Sequence, residues 1–465
     1  MKRTKRWIHR FAIAPLALGA LVALPAPTTV AAATVLYVDG ANPSCSNSGP
    51  GTSTQPYCTI QKGASVATAG TTVQVAAATY AENVSPWNSG AAGTPIVFAA
   101  APGATVTGTA AGSNGFTISG KSYITIQNFT ITNTVGSGIS AFDSTTPTNN
   151  IVITGNHVSQ SGRSTDSTTI KRAISFTGVV TASTVTGNVI DHNTGSGVYL
   201  GPSTSGNAVT HNTISYSASG ITDSSGVYQR LSPGIDVRGS GNTIVANVSH
   251  DNDDSGIQLF QGATNNLVAN NACYHNRGYP VAAAGDHGID VNGSTNNVLI
   301  GNSVYDNVTA GINVEGSSTG TVVADNVSVN NGINSPRSKG NLRVDSTSQS
   351  GTTIDYDLVY LTSSGTVVVW GSTSYPSLAA FQAAAPGQET HGVQADPRWV
   401  APASGDFHLS AGSPAIDSAN SGVSGEQVQD ADGRSRFDDP LTPNTGAGPR
   451  PYDDRGAYEY QGGIG

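Results

Sequence analysis

The sequence has little charge, few aromatic residues and almost no methionine. Of its 465 residues, 11% are Asp, Glu, Lys or Arg, 6% are aromatic and one is methionine. Soluble domains usually carry about a quarter charged residues, and helical bundles, coiled coils and nucleic-acid-binding domains depend on more Lys, Arg and Glu than this. The composition argues against those classes. It also argues against disorder, because apolar residues recur in short, regular runs.

What the chain has in quantity is glycine, with 56 residues, together with Ser, Thr, Asn and Val. These residues are typical of strands and tight turns. One sequence motif recurs. It consists of a Gly, then Ile or Val on both sides of a variable residue, then a turn, and then an apolar triplet close to an Asn. Its clearest copies lie at 196–201, 233–239, 255–262, 287–293 and 310–316.

The spacing of the accompanying Asn residues sets the length of the repeat. The shortest step is 24 residues, which accommodates three short strands and contains no stretch of helical periodicity. We therefore predict an all-β protein, a parallel β-helix (solenoid) whose coils stack at the strand spacing of about 4.8 Å. The Asn residues are expected to form a ladder and to take the left-handed conformation of a tight turn; they are Asn156, Asn188, Asn212, Asn247, Asn271, Asn302 and Asn326.

The two ends of the repeat suggest three regions. A short amphipathic segment at 59–70 is expected to be a helix that caps the N-terminal end, and the repeat fades after 341–344. We predict a signal peptide at 1–33, the β-helix with its cap at 34–375, and a C-terminal accessory or capping region at 376–465. Cys45 and Cys58, thirteen residues apart in a loop rich in Ser, Gly and Pro, are expected to form a disulfide.

The N-terminus has the pattern of a secretory signal peptide. Five basic residues precede an apolar run at 11–24, which is too short to span a bilayer, and Ala residues follow up to 33. Removal of 1–33 leaves 16 basic against 30 acidic residues, a formal charge of −14. We expect a secreted, extracellular monomer that binds neither nucleic acid nor membrane. An anionic substrate would require a divalent cation to bridge the like charges.

Insertions and the variable residue of the repeat indicate where a site lies. The long steps add loops at 162–172, 221–233 and 274–287, which should wall a groove suited to a linear polymer. Equivalent variable residues should stack into one column, namely Thr117, Ser140, Ser175, Tyr199, Asp236, Gln258, Asp290, Asn313 and Arg343.

Acidic residues gather in the same coils as the polar end of this column. Asp251, Asp253 and Asp254 precede Gln258, and Asp286 and His287 precede Asp290. Hard carboxylate oxygens at this density suit Ca²⁺. The nearest cations are Arg230, Arg238 and Arg277.

Two segments here resemble a known family. Residues 37–84 resemble the opening of exported bacterial β-helix proteins related to pectate lyases, and 247–260 (NVSHDNDDSGIQLF) resembles the calcium-binding coil of family nine polysaccharide lyases. Residues 396–417 and 453–460 resemble a C-terminal module common on such proteins. The resemblance implies a right-handed parallel β-helix, Ca²⁺ held by Asp residues of adjacent coils, and β-elimination of an acidic polysaccharide by a basic residue that abstracts a proton.

The chain departs from that family at several positions. The acidic pair and the following Asp of the family fall on Asp254, Ser255 and Gln258, and Asp290 stands where the family has its Lys. The expected metal ligands are Asp236, Asp253 and Asp254. The expected catalytic residues are Arg277, Arg230 and His287, and the expected substrate-binding residues are Arg238, Gln258 and Asp290.

Two alternatives to a calcium-dependent uronate lyase stay open. The first is a non-catalytic carbohydrate-binding or surface solenoid, which would stack sugars on tyrosines; the candidates are Tyr199, Tyr216, Tyr228, Tyr274 and Tyr279. The second is a glycoside hydrolase of the polygalacturonase type, because Asp253-Asp254 and the later His287-Gly288 faintly resemble its motifs and hydrolysis needs two carboxyl groups.

Overall fold

Short strands stack coil upon coil into three parallel sheets, and this confirms the predicted right-handed parallel β-helix. The structure is a computed structural model that describes residues 34–108, 113–162, 171–217, 232–277, 285–333 and 335–462. In these residues the three sheets contain 13, 12 and 11 strands, and a separate two-stranded sheet follows them. The predicted signal peptide lies outside the described residues.

The strands of the first sheet are Thr34–Val38, Thr71–Val75, Ile96–Ala100, Ser122–Gln127, Thr148–Thr154, Val180–Thr181, Thr184–Thr186, Ala208–Thr210, Thr243–Val245, Leu267–Ala269, Val298–Ile300, Val322–Ala324 and Thr353–Asp355. Those of the second sheet are Thr79–Ala81, Thr105–Thr107, Thr130–Thr132, His157–Ser159, Val189–Asp191, Thr213–Ser215, Val248–His250, Ala272–Tyr274, Ser303–Tyr305, Val327–Val329, Leu358–Tyr360 and Val393–Gln394. Those of the third sheet are Phe116–Ser119, Ile139–Phe142, Ile174–Thr177, Val198–Leu200, Ile235–Val237, Ile257–Phe260, Ile289–Asn292, Ile312–Glu315, Leu342–Val344, Val368–Trp370 and the antiparallel Thr373–Tyr375.

Alternation along each strand builds the core. In the first sheet Val185 lies beside Val209, and Val209 beside Ile244, and all three side chains are fully buried. Because successive side chains of a strand point to opposite faces, one residue in two faces inward and the others face out. β-Branched residues suit this pleated, half-buried position. Because the register is the same in each coil, an apolar side chain of one coil stacks on an apolar side chain of the next.

The predicted Asn ladder is present at the corner between the first and second sheets. From Asn156 to Asn326, the side-chain amide of each member donates to the side-chain oxygen of the next at 2.9–3.0 Å. Two further ladders occupy the other corners, and they consist of Asn207, Asn242, Asn266 and Asn297, and of Asn252, Asn276, Asn307, Asn331 and Asn341.

The prediction that the ladder Asn residues adopt the left-handed backbone conformation was wrong. The positive φ belongs to the residue before each Asn, for example His211 at 54° and Asn270 at 52°. The Asn itself is thereby free to extend its side chain along the stack, where it satisfies buried backbone groups. Gly occupies the preceding position at 155, 187 and 301, where φ is 62–64° and a residue without a Cβ adopts this conformation at no steric cost.

Helices cover both ends of the apolar core. Helix Ile60–Val66 starts at Thr59, whose hydroxyl accepts from the Lys62 amide at 3.2 Å, and it buries Ile60 and Ala64. At the other end, helix Leu378–Ala384 buries Phe381. Strand Val393–Gln394 still pairs with the second sheet, so that sheet continues beyond residue 375. The domain boundary at 375/376 stays a prediction.

The C-terminal segment packs sideways on the second sheet. Its hairpin consists of Trp399–Ala401 and Asp406–Leu409, joined by the 3₁₀ turn Pro402–Ser404. Phe407 of this hairpin lies edge-on to Tyr274 of the second sheet, with ring centroids 5.3 Å apart. The outer face of the third sheet lies elsewhere on the coil.

The predicted disulfide is confirmed. Cys45 and Cys58 are joined in a disulfide, and Cys273 is fully buried, which raises the pKa of its thiol. Among the described residues, no helix has both the length and the apolar character needed to cross a membrane.

Candidate functional site

The predicted column of variable residues lies on the outer face of the third sheet. Tyr199 pairs with Asp236, Asp236 with Gln258, and Gln258 with Asp290, and the column continues through Asn313 to Arg343. Two residues further along each strand, a second outward column runs beside it. The second column contains Arg238, Phe260, Asn292 and Glu315. We call these the outer columns.

Hydrogen bonds join neighbouring coils around Asp290. The Gln258 amide donates to one Asp290 oxygen at 3.0 Å and the Asn313 amide donates to the other at 2.7 Å. The Arg343 guanidinium in turn donates to the Asn313 oxygen and, at 2.7 Å, to Glu315. Asp290 is only 1% exposed, so these donors replace water around its carboxyl group.

The pKa values of two carboxyl groups in this network are shifted in opposite directions. Burial, reinforced by the charge of Glu315, raises the pKa of Asp290 to about 7. Burial also acts to raise the pKa of Glu315, but the positive charge that His287 carries when it is protonated, together with the hydrogen bond and charge of Arg343, outweighs burial and holds that pKa below its ordinary value. Environments that separate two carboxyl pKa values in this way are typical of acid–base sites.

His287 lies beneath the outer columns and is fully buried. Its Nδ1 lies 2.8 Å from the Thr309 hydroxyl and 3.3 Å from the Ala310 carbonyl oxygen. Burial lowers the pKa of His287 to about 4, so the ring is neutral at pH 7. One ligand atom each of His287, Asp290 and Glu315 lies within 4.8 Å of the other two, the single such group of three that the described part of the chain contains.

The end of the columns near Tyr199 combines arginines with aromatic rings. The Arg172 guanidinium lies 3.6 Å from the centre of the Tyr199 ring, and that of Arg238 lies 4.8 Å from the Phe260 ring. Arg238 also donates to both Asp236 oxygens, at 3.2 and 3.3 Å. Guanidinium groups held flat on aromatic faces are suited to binding carboxylates and sugars.

The predicted calcium ligands are spread out and engaged with other groups. Asp236 is buried and its two oxygens accept from Arg238, as just described. One oxygen of Asp254 accepts from the backbone amides of Ser255 at 2.7 Å and Asp286 at 3.2 Å. Burial, followed by the charge of Asp290, raises the pKa of Asp254 to about 6. Asp253 is also buried, and the three do not form a ligand group among the described residues.

The predicted bases do not meet at Asp290. Arg277 donates to Asp306 at 2.7 Å, at the end of a strand of the second sheet, and is half exposed. Arg230 lies outside the described residues, as do most residues of the three predicted groove loops. Of the predicted stacking tyrosines, Tyr199 lies on the outer columns, whereas Tyr216 and Tyr274 lie on the second-sheet side. Tyr228 and Tyr279 fall outside the described residues.

Two residues of the site escaped the sequence reasoning. Glu315 lies two positions after Asn313, on the same face of the strand. The alternation of residues in the AGINVEG segment therefore could have predicted that Glu315 faces outward beside Asn313. Arg172 was visible only as the end of an inserted loop, and its contact with Tyr199 depends on how that loop returns to the coil.

Residues 103–228 and 216–355, together more than half of the chain, match the model of a family described as the right-handed β-helix region. No curated protein matches the sequence significantly.

Several solved structures share the fold. Pectate lyase Pel9A is 16% identical with a TM-score of 0.52, and the match covers 92% of this chain and 96% of that one. XylC in complex with xylose is 12% identical with a TM-score of 0.51, covering 74% and 87%. The family 136 lacto-N-biosidase from Eubacterium ramulus is 12% identical with a TM-score of 0.54, covering 78% and 67%. Identities this low show a shared fold.

Proposed function

The chain belongs to the right-handed β-helix family, and from this premise we propose that it is exported and cleaves an acidic polysaccharide bound along the outer columns. The observation that carries the proposal is the unbroken register of polar side chains from Tyr199 to Arg343 on one sheet face. A row of arginine, amide and carboxyl groups repeated at the coil spacing suits a linear polymer. The proteins of similar fold named above are a pectate lyase, a xylose complex and a lacto-N-biosidase, which supports a carbohydrate ligand.

The acidic character of the substrate follows from the cations of this face. Arg172, Arg238 and Arg343 are the arginines that contact the outer columns. Guanidinium groups bind carboxylates through two parallel hydrogen bonds. Tyr199 is 7% exposed and lies under Arg172, so its role in this proposal is to position that guanidinium for the substrate.

We propose β-elimination as the reaction. The C5 proton of a uronate residue is weakly acidic, and its removal requires stabilisation of the negative charge that develops on the neighbouring carboxylate. In this proposal Arg343, whose side chain is 20% exposed, is the donor for that charge. Because Arg277 is engaged with Asp306, the neutral form of Arg230 is the proton acceptor of this proposal. As the C5 proton leaves, the C4–O bond of the polymer breaks, a C4–C5 double bond forms, and the leaving oxygen takes up a proton.

Calcium was expected from the family resemblance, and the predicted ligands fit it poorly. Ca²⁺ takes six to eight oxygen ligands, whereas the Asp236 oxygens face the Arg238 guanidinium and one Asp254 oxygen is held by two backbone amides. We therefore derive no step through calcium at Asp236, Asp253 and Asp254, and calcium dependence is left to the experiment below.

Hydrolysis is a second candidate, favoured by the pair Asp290 and Glu315. Their nearest ligand atoms lie within 4.8 Å, close to the separation of about 5 Å between the carboxyl groups of retaining glycosidases. Burial, with the charge of Glu315, raises the pKa of Asp290 to about 7, which suits a general acid. Glu315, whose pKa His287 and Arg343 hold low against its burial, would be the nucleophile.

One assay separates these reactions. The protein is incubated with polygalacturonate or alginate, with Ca²⁺ or with chelator, while the absorbance of unsaturated products and the reducing ends are followed. Unsaturated products support elimination, reducing ends without unsaturation support hydrolysis, and retention on the polymer without turnover supports a binding solenoid. Failure to bind or cleave any acidic polysaccharide overturns the proposal.

Arg343→Gln tests the location of the site. Loss of a charge-assisted contact to substrate should lower kcat/KM by at least about tenfold, because such bonds contribute about 1.5–3 kcal/mol. Arg434→Gln is the matched control, since Arg434 pairs with Asp432 in the C-terminal segment and is half exposed. An equal effect of the two substitutions would contradict the proposed site.

A further inference from the structure

We infer that His287, Asp290 and Glu315 form a binding site for a divalent transition-metal ion of the Zn²⁺ class. His287 and Asp290 belong to one coil and Glu315 to the next. The inference concerns metal binding and stands apart from the reaction proposed above, although the two sites share Asp290 and Glu315.

The first observation is the spacing of the donors. One ligand atom of each residue lies within 4.8 Å of the other two. Ligand atoms about 2.0–2.1 Å from a tetrahedral Zn²⁺ are about 3.4 Å apart, so a small inward movement of the side chains completes the geometry. His287 is fully buried and Glu315 is partly exposed, with 15% of its side chain accessible. The site thus has one closed side and one side open to the outer columns.

The second observation is a buried nitrogen of His287 that has no hydrogen-bond partner. The hydroxyl of Thr309 donates to the Gly285 carbonyl oxygen, so its oxygen accepts from Nδ1–H of His287 at 2.8 Å. This network assigns the proton to Nδ1 and leaves a lone pair on Nε2. Nε2 is buried without a partner, which costs free energy. Neutral imidazole is the commonest metal ligand among protein side chains, so a metal ion would satisfy this lone pair.

The third observation is the support behind each ligand. Histidines that bind metals almost always donate their other ring N–H to a neighbouring oxygen, as His287 does to Thr309. Each Asp290 oxygen accepts one amide hydrogen, from Gln258 at 3.0 Å or from Asn313 at 2.7 Å. A carboxylate oxygen has a second lone pair. The two amides therefore fix the orientation of the Asp290 carboxyl group, and each of its oxygens keeps a lone pair that can bind an ion.

The donor set selects the class of ion. One imidazole nitrogen with two carboxylate oxygens suits Zn²⁺ and its first-row neighbours, whereas Ca²⁺ is bound by oxygen alone. Three protein ligands leave one coordination position, which is the arrangement of catalytic zinc sites. If the proposed function holds, that position would take a substrate carboxylate, and this extension rests on the proposed function.

The experiment measures metal binding by the full chain without polysaccharide. After removal of metals by chelator, Zn²⁺ is titrated by calorimetry, and thermal melting is followed in parallel. We expect one tight equivalent and a melting temperature that rises with Zn²⁺, because an ion bound to the folded state stabilises it. Co²⁺ bound in place of Zn²⁺ should give visible absorption bands that are lost in His287→Gln.

Variants locate the ion. Asp290→Asn and Glu315→Gln preserve size and should each weaken Zn²⁺ binding more than about a hundredfold, beyond the effect of supporting residues. His408→Gln is the matched control, because His408 bonds Asp406 at 2.7 Å and Asp432 at 2.9 Å in the C-terminal segment. Glu315→Gln, at the partly exposed ligand, is the variant least able to disturb folding, and its melting without metal is compared with that of the original chain.

The outcomes are distinct. Tight binding that is kept in His408→Gln and lost in the site variants supports the inference. Absence of saturable Zn²⁺ binding by the folded protein overturns it, and so does binding that survives in all site variants. Zn²⁺ binding without polysaccharide cleavage would refute the proposed function alone. Cleavage without Zn²⁺ binding would refute the metal site alone.

Discussion

Removal of one rung of the Asn ladder should destabilise the β-helix more than loss of a typical hydrogen bond. We choose Asn271→Ala, because this side chain is fully buried in the middle of the ladder. Its oxygen accepts from the backbone and side-chain amides of Asn247 at 2.9 and 3.0 Å. Its own amide donates to the Ile244 and Ala269 carbonyl oxygens at 2.9 and 3.0 Å. Alanine can replace none of these bonds.

The magnitude follows from the groups left unsatisfied. The Asn247 backbone amide loses its acceptor and the Ile244 carbonyl oxygen loses its side-chain donor in a buried corner, whereas the Asn247 side-chain amide keeps the Val209 and Val245 carbonyl oxygens. Each buried unsatisfied group costs about 1–3 kcal/mol. We therefore expect Asn271→Ala to lower the free energy of unfolding by about 2–6 kcal/mol, a large part of the 5–15 kcal/mol typical of a folded domain. A loss of one ordinary net hydrogen bond would be about 1 kcal/mol.

Urea denaturation with hydrogen exchange is the appropriate assay. Because a solenoid is stabilised by neighbouring repeats, the loss should be concentrated in the coils on either side of residue 271. Asn444→Ala, at an exposed position of the C-terminal segment, is the control and should change stability by less than about 0.5 kcal/mol. The reasoning would be refuted if Asn271→Ala cost less than 1 kcal/mol or if protection fell equally in all coils.

Two further substitutions test the end of the ladder and the C-terminal segment. Asp357 accepts a hydrogen bond from Asn326 at 2.8 Å, and burial raises the pKa of its carboxyl group to about 6. Between about pH 4 and pH 6 the folded state therefore holds a proton that the unfolded state releases. As a result, this group lowers the free energy of unfolding as the pH rises through that range. Asp357→Asn should remove that decline from melting curves recorded between pH 4 and 8, and an unchanged pH dependence would contradict the assignment. Arg436 pairs with Glu426 at 2.8 Å and Glu459 at 2.9 Å with its side chain 2% exposed. Arg436→Met should cost about 3–5 kcal/mol and expose the segment to limited proteolysis, because two buried carboxylates lose their partner; unaltered proteolysis would refute this.

The fold and the columns were accessible from the sequence because the repeat is one-dimensional. Alignment of the GI-x-V phrases placed Asp236, Gln258 and Asp290 in one row, and the structure pairs them in that register. Each coil contacts its neighbours through the same positions, so a short sequence pattern determines a long-range arrangement. The same logic predicted the Asn ladder.

Contacts between side chains of different strands and loops could not be predicted from the sequence. Arg277 lies close in sequence to the acidic coil, yet it reaches Asp306 at the end of a second-sheet strand. Glu315 lies on the same face as Asn313 by alternation, but it belongs to the second outward column, which the repeated Gly-Ile motif does not mark. The turn conformation was assigned to the ladder Asn because Asn favours positive φ, but packing uses Asn for its side chain and places positive φ one residue earlier.

The sideways packing of the C-terminal segment gives the solenoid unequal mechanical strength along its axis. The segment binds several successive coils at once: Gly456 donates to the Asp325 carbonyl oxygen at 2.8 Å, Ala457 to the Ser303 hydroxyl at 3.1 Å, and Arg455 to the Asp357 carbonyl oxygen at 3.2 Å. Pulling these coils apart along the stack would require shearing this strap as well as breaking the sheets. Among the described residues, the apolar contacts of this segment reach no coil before residue 248. A stretched molecule should therefore open first in its N-terminal half, and the part of the outer columns from Gln258 to Arg343 should stay intact longest.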